Sequence, residues 1–151
     1  MYNHEPEGYI CPFCESLREK PERIIARKDG AAALLGLHRW GRSPVDVLII
    51  PVDHIENLYD LPVHLAPDIQ SLTRAAALAL KAVYGCEGVS TRQHNEPAGN
   101  QDVWHYHIHV FPRYAGDDLY SSEKMLIPMQ EIMEETARLR EYFEANWGEL
   151  V

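Results

Sequence analysis

The chain has 151 residues, 46% of them hydrophobic and 25% charged, with a formal net charge of −9. Length and composition fit one globular domain with a respectable core. The acidic balance disfavours broad binding of long nucleic acid, which needs a basic surface. No stretch approaches the ~20 apolar residues of a membrane span. The start, Met1 to Pro6, lacks the basic and apolar regions of a signal peptide, so a cytoplasmic location is expected.

Residues 1–22 read as an irregular arm with a short helix over Glu15–Lys20. The arm carries Cys11-Pro12-Phe13-Cys14. Three cysteines are too few for a disulfide framework, and the close pair fits a metal clip or a redox pair. Arg23–Arg27 and Ala31–Leu37 read as strands around the turn Lys28-Asp29-Gly30. Arg39–Pro44 reads as a loop because of Gly41 and Pro44, and Val45–Pro51 as a strand.

Pro67–Tyr84 is predicted to be a helix. Its apolar positions Ile69, Leu72, Ala76, Leu80 and Val83 recur at three- and four-residue steps, and Gly85 stands at the C-cap. A strand over Gly88–His94 and a loop, His94–Asn100, follow. Another strand is expected over Val103–Phe111, ended by Pro112. Pro128 fits the first turn of a last helix running to about Asn146, whose acidic side is a solvated face. The pattern predicts an α+β fold: a five-stranded antiparallel sheet with a central and a C-terminal helix. A single domain is expected over 1–151, with the arm (1–22), a core (23–114) and a C-terminal helical segment (115–151).

Eight histidines occur in the chain, and His105, His107 and His109 alternate in the run Trp104–Phe111. On a strand, alternate side chains share a face. Three imidazoles on one face admit two chemical readings. A three-histidine metal site requires convergence on one ion, but the first and third positions of an extended strand lie roughly 13 Å apart. The alternative is nucleophilic attack by imidazole on phosphorus, forming and then hydrolysing a phosphorus–nitrogen bond. The central His107 is the candidate nucleophile.

The segment His105-Tyr106-His107-Ile108-His109-Val110-Phe111 resembles the signature of the histidine-triad (HIT) superfamily. So do its flanks, Pro97-Ala98-Gly99-Asn100-Gln101 and Phe111-Pro112-Arg113, and the upstream Val47–His54 followed by Asn57–Leu61. The resemblance covers residues 9–114. It implies a nucleotide hydrolase or transferase working through a covalent nucleotidyl-histidine on His107. His109 would position the phosphate, and the backbone carbonyl following the nucleophile would hold its ring.

Implied substrates carry a scissile α-phosphate: dinucleoside polyphosphates, nucleoside phosphoramidates or nucleotide sugars. Asn100 and Gln101 map to the phosphate-contacting loop, and Gln93 or Asn95 to the leaving side. His38 falls where ribose is bound. Arg113, at the strand exit, is expected either to face the phosphates or to make a surface ion pair, and Ile24, Ile25 and Leu35 either to wall a base or to be ordinary core residues. Asp102 stands where many members carry Ser or Thr; a carboxylate repels phosphate unless it turns away or is protonated. Some bacterial members bind structural zinc through a CxxC pair and two histidines, and Cys11, Cys14, His54 and His105 match that set. A homodimer is also implied. Two other activities remain open: nucleotidyl transfer to an acceptor such as phosphate, and a non-catalytic nucleotide-binding module.

Overall fold

A computed structural model describes residues 2–151. Five strands form one antiparallel sheet: β1 (Ile24–Lys28), β2 (Ala31–Leu35), β4 (Val47–Pro51), β5 (Gly88–Gln93) and β6 (Ile108–Arg113), in spatial order β1-β2-β4-β6-β5. The β1–β2 turn is built on Asp29, with φ 44°, and Gly30. A short second ladder pairs β3 (His38–Trp40) with β7 (Lys124–Leu126). Three helices complete the fold: α1 (Pro12–Glu19), α2 (Ala66–Tyr84) and α3 (Met129–Leu150). Among the described residues, no helix is long and apolar enough to cross a membrane.

Alternation along the strands separates two cores. Ala31, Ala33, Leu35, Val47, Ile49 and Val110 point to one face, where they pack with Ile69, Leu72, Ala76 and Leu80 of α2 and Ile132, Leu139 and Phe143 of α3. The apolar stripe read from the sequence is therefore the buried side of α2. Gly85 caps that helix in the left-handed conformation, with φ 60°. Ala32, Leu34, Leu48 and Ile50 point to the other face, covered by Cys11, Phe13 and Ile24. The site lies on this second, thinner face.

Five expectations change. Helix α1 begins at Pro12, not Glu15, so Cys11 is its N-cap; its side chain accepts from the Cys14 amide. The segment Arg39–Pro44 is not all loop, because His38–Trp40 pairs with Lys124–Leu126, a partner more than eighty residues away that local pattern cannot announce. Strand β6 starts only at Ile108, so of the three histidines His109 alone is in a strand. Its pairing with β4 stops at Ile108 opposite Ile49, and the preceding residues leave the sheet. Pro112 does not end the strand but pairs with Val89 inside it. The β4 ladder has already stopped at Val110, so on that side β6 is an edge, where a missing N–H is tolerated. Helix α3 also runs four residues past the expected Asn146.

Candidate active site

His107 is almost fully buried, at 2% exposure. Its Nδ1 lies 2.7 Å from the carbonyl oxygen of His105. An N–H at Nδ1 donates to that carbonyl, which leaves the Nε2 lone pair free on the other side of the ring. The holding carbonyl thus belongs to the residue two before the nucleophile candidate, not to the one after it. Burial, reinforced by the neighbouring His109, pushes His107 down to about 4. The ring is neutral at pH 7.

His109 stands edge-on to His107, with ring centroids 4.9 Å apart, and stacks on Phe111 at 5.4 Å. Its Nδ1 is 2.7 Å from Oδ2 of Asp46. Asp46 is buried and its Oδ1 has no hydrogen-bond partner. Burial raises the Asp46 carboxyl, and the His109 hydrogen bond partly offsets this. The close approach depends on Gly36, where a Cβ would sit 3.2 Å from Asp46 Oδ2.

These rings line a cavity of about 390 Å³. Pro12, Phe13, Leu35, Leu37 and Leu48 supply apolar wall, and Arg92, His94, Lys124, Asp102 and Asn100 supply polar groups. Phe13 meets His107 edge-on at 5.3 Å. Asp102 Oδ1 is 4.0 Å from His107 Nε2, while its Oδ2 is 2.9 Å from Lys124 Nζ. Burial would raise the Asp102 carboxyl, but the hydrogen bond and charge of Lys124 hold it below its ordinary value.

Of the residues expected around substrate, His38, Asn100, His107 and His109 line this cavity, and Gln93, Asn95, Gln101 and Arg113 do not. Gln93 and Asn95 hydrogen-bond to each other, and Asn95 also accepts from the Leu58 amide. Gln101 is buried. Its Nε2 donates to the Glu56 and Val103 carbonyls, and its Oε1 accepts from the Glu96 amide. It shapes the loop that presents Asn100 and Asp102. Arg113 is taken up by both oxygens of Asp117 and by Ser90. Leu35 lines the cavity, whereas Ile24 and Ile25 lie in the two cores.

The sequence did not single out Asp46 or Lys124, and it placed Arg92 only as a cation flanking the histidine strand that could make a cleft locally positive. Asp46 had a legible signal, a carboxylate inside the apolar run Val45–Pro51. Lys124 had none, because only the β3–β7 ladder brings it to the site.

A second cluster lies beside His107. One ligand atom each from Cys11, Cys14, His54 and His105 falls within 4.8 Å of all the others. The sulfur–nitrogen separations are 3.4 Å for Cys11–His105, 3.3 Å for Cys14–His54 and 3.7 Å for Cys14–His105. A tetrahedral zinc with bonds of about 2.3 Å to sulfur and about 2.0 Å to nitrogen requires edges of about 3.5 Å. Both histidines present Nδ1 to the cluster. Their Nε2 atoms are engaged elsewhere, His105 with the Pro51 carbonyl at 3.0 Å and His54 with Glu5 at 2.6 Å. Such outer partners fix the orientation of metal-binding rings. Residues 103–107 leave the sheet in the stretch that turns His105 toward the cysteines.

A family model described as HIT domain matches residues 17–116. "Protein hit" of Bacillus subtilis is 28% identical over 109 residues, covering 72% of this chain and 74% of that protein. Adenylylsulfatase HINT3 of Arabidopsis thaliana is 27% identical over 116 residues, covering 76% of this chain and 58% of that protein. A crystal structure of a zinc-bound histidine triad family protein from Mycobacterium smegmatis matches with a TM-score of 0.72 at 22% identity, covering 89% of this chain and 96% of that chain.

Proposed function

The chain belongs to the HIT domain family, and on that premise we propose that it is a nucleotide hydrolase. It cleaves at the α-phosphate of a dinucleoside polyphosphate or a nucleoside phosphoramidate, through a covalent nucleotidyl intermediate on His107. The observation that carries this reading is the His107 ring itself. It is buried and neutral, its Nδ1 is tied to the His105 carbonyl, and its Nε2 is left free beside a cavity.

The step balances as follows. The Nε2 lone pair forms a bond to the α-phosphorus, and the bond from phosphorus to the bridging oxygen or nitrogen breaks, its electron pair leaving with that atom; a departing nitrogen takes up a proton from solvent as the bond breaks. Water then attacks the same phosphorus and the nitrogen–phosphorus bond breaks. Its pair returns to Nε2 while the water's proton passes to solvent. His109, oriented by Asp46, positions the phosphate, and Asn100 contributes from the loop. Asp102 is turned toward Lys124, which offsets its repulsion of phosphate.

Cys11, Cys14, His54 and His105 would hold a zinc ion. With four protein ligands the site is closed, so the metal supplies structure rather than chemistry. Its residues tie helix α1, and with it Phe13, to the backbone that holds the His107 ring. The name of the Arabidopsis relative, an adenylylsulfatase, supports the nucleotidyl part of the reading.

The test is turnover of diadenosine tetraphosphate and of adenosine 5′-phosphoramidate, followed by AMP release. His107→Asn is expected to lower kcat by roughly a thousandfold or more on whichever substrate is used. Equal rates for the two proteins would refute the assignment.

A further inference from the structure

Two arginines line the cavity: Arg23 donates to Ser16 and to the Leu35 carbonyl, whereas Arg92 has no such partner among the described residues. It lies in β5 directly across from His109 in β6. Its guanidinium carbon sits 4.8 Å from the Phe111 ring, 5.3 Å from Trp40 and 5.4 Å from Tyr120. Three aromatic rings therefore hold the group in place without using its N–H donors. Among the described residues no hydrogen bond or carboxylate pairs with it, and its Nε is buried without a partner. Arg113, by contrast, has both oxygens of Asp117 and Ser90.

A guanidinium held in place with its donor fork unused is suited to a tetrahedral oxyanion, which it binds through paired hydrogen bonds. A buried donor without a partner is costly unless a ligand satisfies it. Lys124 stands nearby, with its Nζ 5.8 Å from the Trp40 ring, and shares its charge with Asp102 Oδ2 at 2.9 Å.

The order of rings indicates which part of a substrate reaches this place. Phe13 contacts His107, His107 contacts His109, and His109 stacks on Phe111, over which Arg92 lies. The Phe13 wall of the cavity is thus on one side of the attacking nitrogen and the Arg92 guanidinium on the other; Arg23, which also lines the cavity, is taken up by Ser16 and the Leu35 carbonyl. Lys124 and Tyr120 both lie beyond residue 116, outside the segment matched by the family model. This end of the cavity is built in part by the chain's own C-terminal segment.

We propose that Arg92, assisted by Lys124, is an oxyanion subsite for the leaving group. The substrate is then a nucleotide whose leaving group is itself anionic, a phosphate or sulfate, rather than an amine. This rests on the assignment of His107 as the nucleophile only for calling the subsite the leaving side; binding of the anion does not depend on it.

The experiment compares binding of AMP with that of its non-hydrolysable α,β-methylene diphosphate by calorimetry, in the native chain, Arg92→Gln and Lys124→Met. The second phosphonate is expected to strengthen binding about tenfold in the native chain. That gain should vanish in Arg92→Gln and shrink in Lys124→Met, whose exposed position spares the fold. Thermal melts confirm that both variants are folded. A gain of the same size in all three proteins, or no gain in the native one, overturns the subsite.

A turnover arm separates this proposal from the reading beneath it. The ratio of kcat/KM for diadenosine tetraphosphate to that for adenosine 5′-phosphoramidate should fall at least tenfold in Arg92→Gln. An unchanged ratio overturns the assignment to the leaving side. If the native chain turns over neither compound while the phosphonate gain still follows Arg92, the hydrolase reading falls and the oxyanion subsite stands.

Discussion

His107 is prepared for attack by two local facts, a carbonyl on one ring nitrogen and dry surroundings for the rest of the ring. Both lower the cost of presenting a neutral imidazole to phosphorus. Their consequence is a shifted acid limb. With His107 pushed down to about 4, the lone pair is lost only as pH falls through that value, not through the ordinary imidazole range near 6.5. A pH–rate profile of kcat/KM should therefore show no loss from His107 protonation between pH 7 and 5. A limb near 6.5 that an NMR titration assigns to His107 would show that the ring is not desolvated as described. At this scale the sequence was most informative about residue type and least about orientation. Alternation suggested three rings on one strand face, yet His105 turns away to the cysteines. Arg113 and Gln101 were expected at the phosphate, but each is consumed by local hydrogen bonds that depend on Asp117 and Glu56. Spacing alone cannot say which polar side chain will find a partner first.

The elements around the site divide into those driven by periodic burial and those driven by a partner. Helix α2 and strands β1, β2, β4 and β5 were legible to within two residues of each end because helical periodicity, short apolar runs and flanking turn residues wrote them into the chain. Helix α1, the β3–β7 ladder and the start of β6 were not. Their boundaries are set by the cysteine–histidine cluster, by Lys124–Leu126 arriving from the C-terminal segment, and by the end of the β4 ladder. The four-ligand cluster makes helix α1 the element most dependent on a metal. Chelation of zinc-loaded protein, or Cys14→Ser, should lower Tm by roughly 5–10 °C. It should also reduce turnover, since Phe13 and the His105 carbonyl both lean on that cluster. Elemental analysis should find one zinc per chain in the native protein and none after chelation. Native protein free of zinc, with unchanged Tm, would remove the proposal.

Across the whole molecule, a net charge of −9 coexists with a cavity lined by three cationic side chains, Arg23, Arg92 and Lys124. Overall charge therefore described the surface and the partners it disfavours, but not the site. The triad and its flanks were enough to reach the family, whose match spans residues 17–116. The features particular to this chain, Asp46 behind His109 and the Arg92–Lys124 end of the cavity, became visible only when distant segments met. The central claim is that one atom, Nε2 of His107, becomes bonded to phosphorus. Rapid quenching with diadenosine tetraphosphate at alkaline pH, followed by intact-mass analysis and peptide mapping, tests it most directly. The account predicts one acid-labile adenylyl group on the peptide containing His107 in the native chain, and none in His107→Asn. An adduct of equal yield in both proteins, or hydrolysis by the native chain with no adduct at any time point, would contradict it.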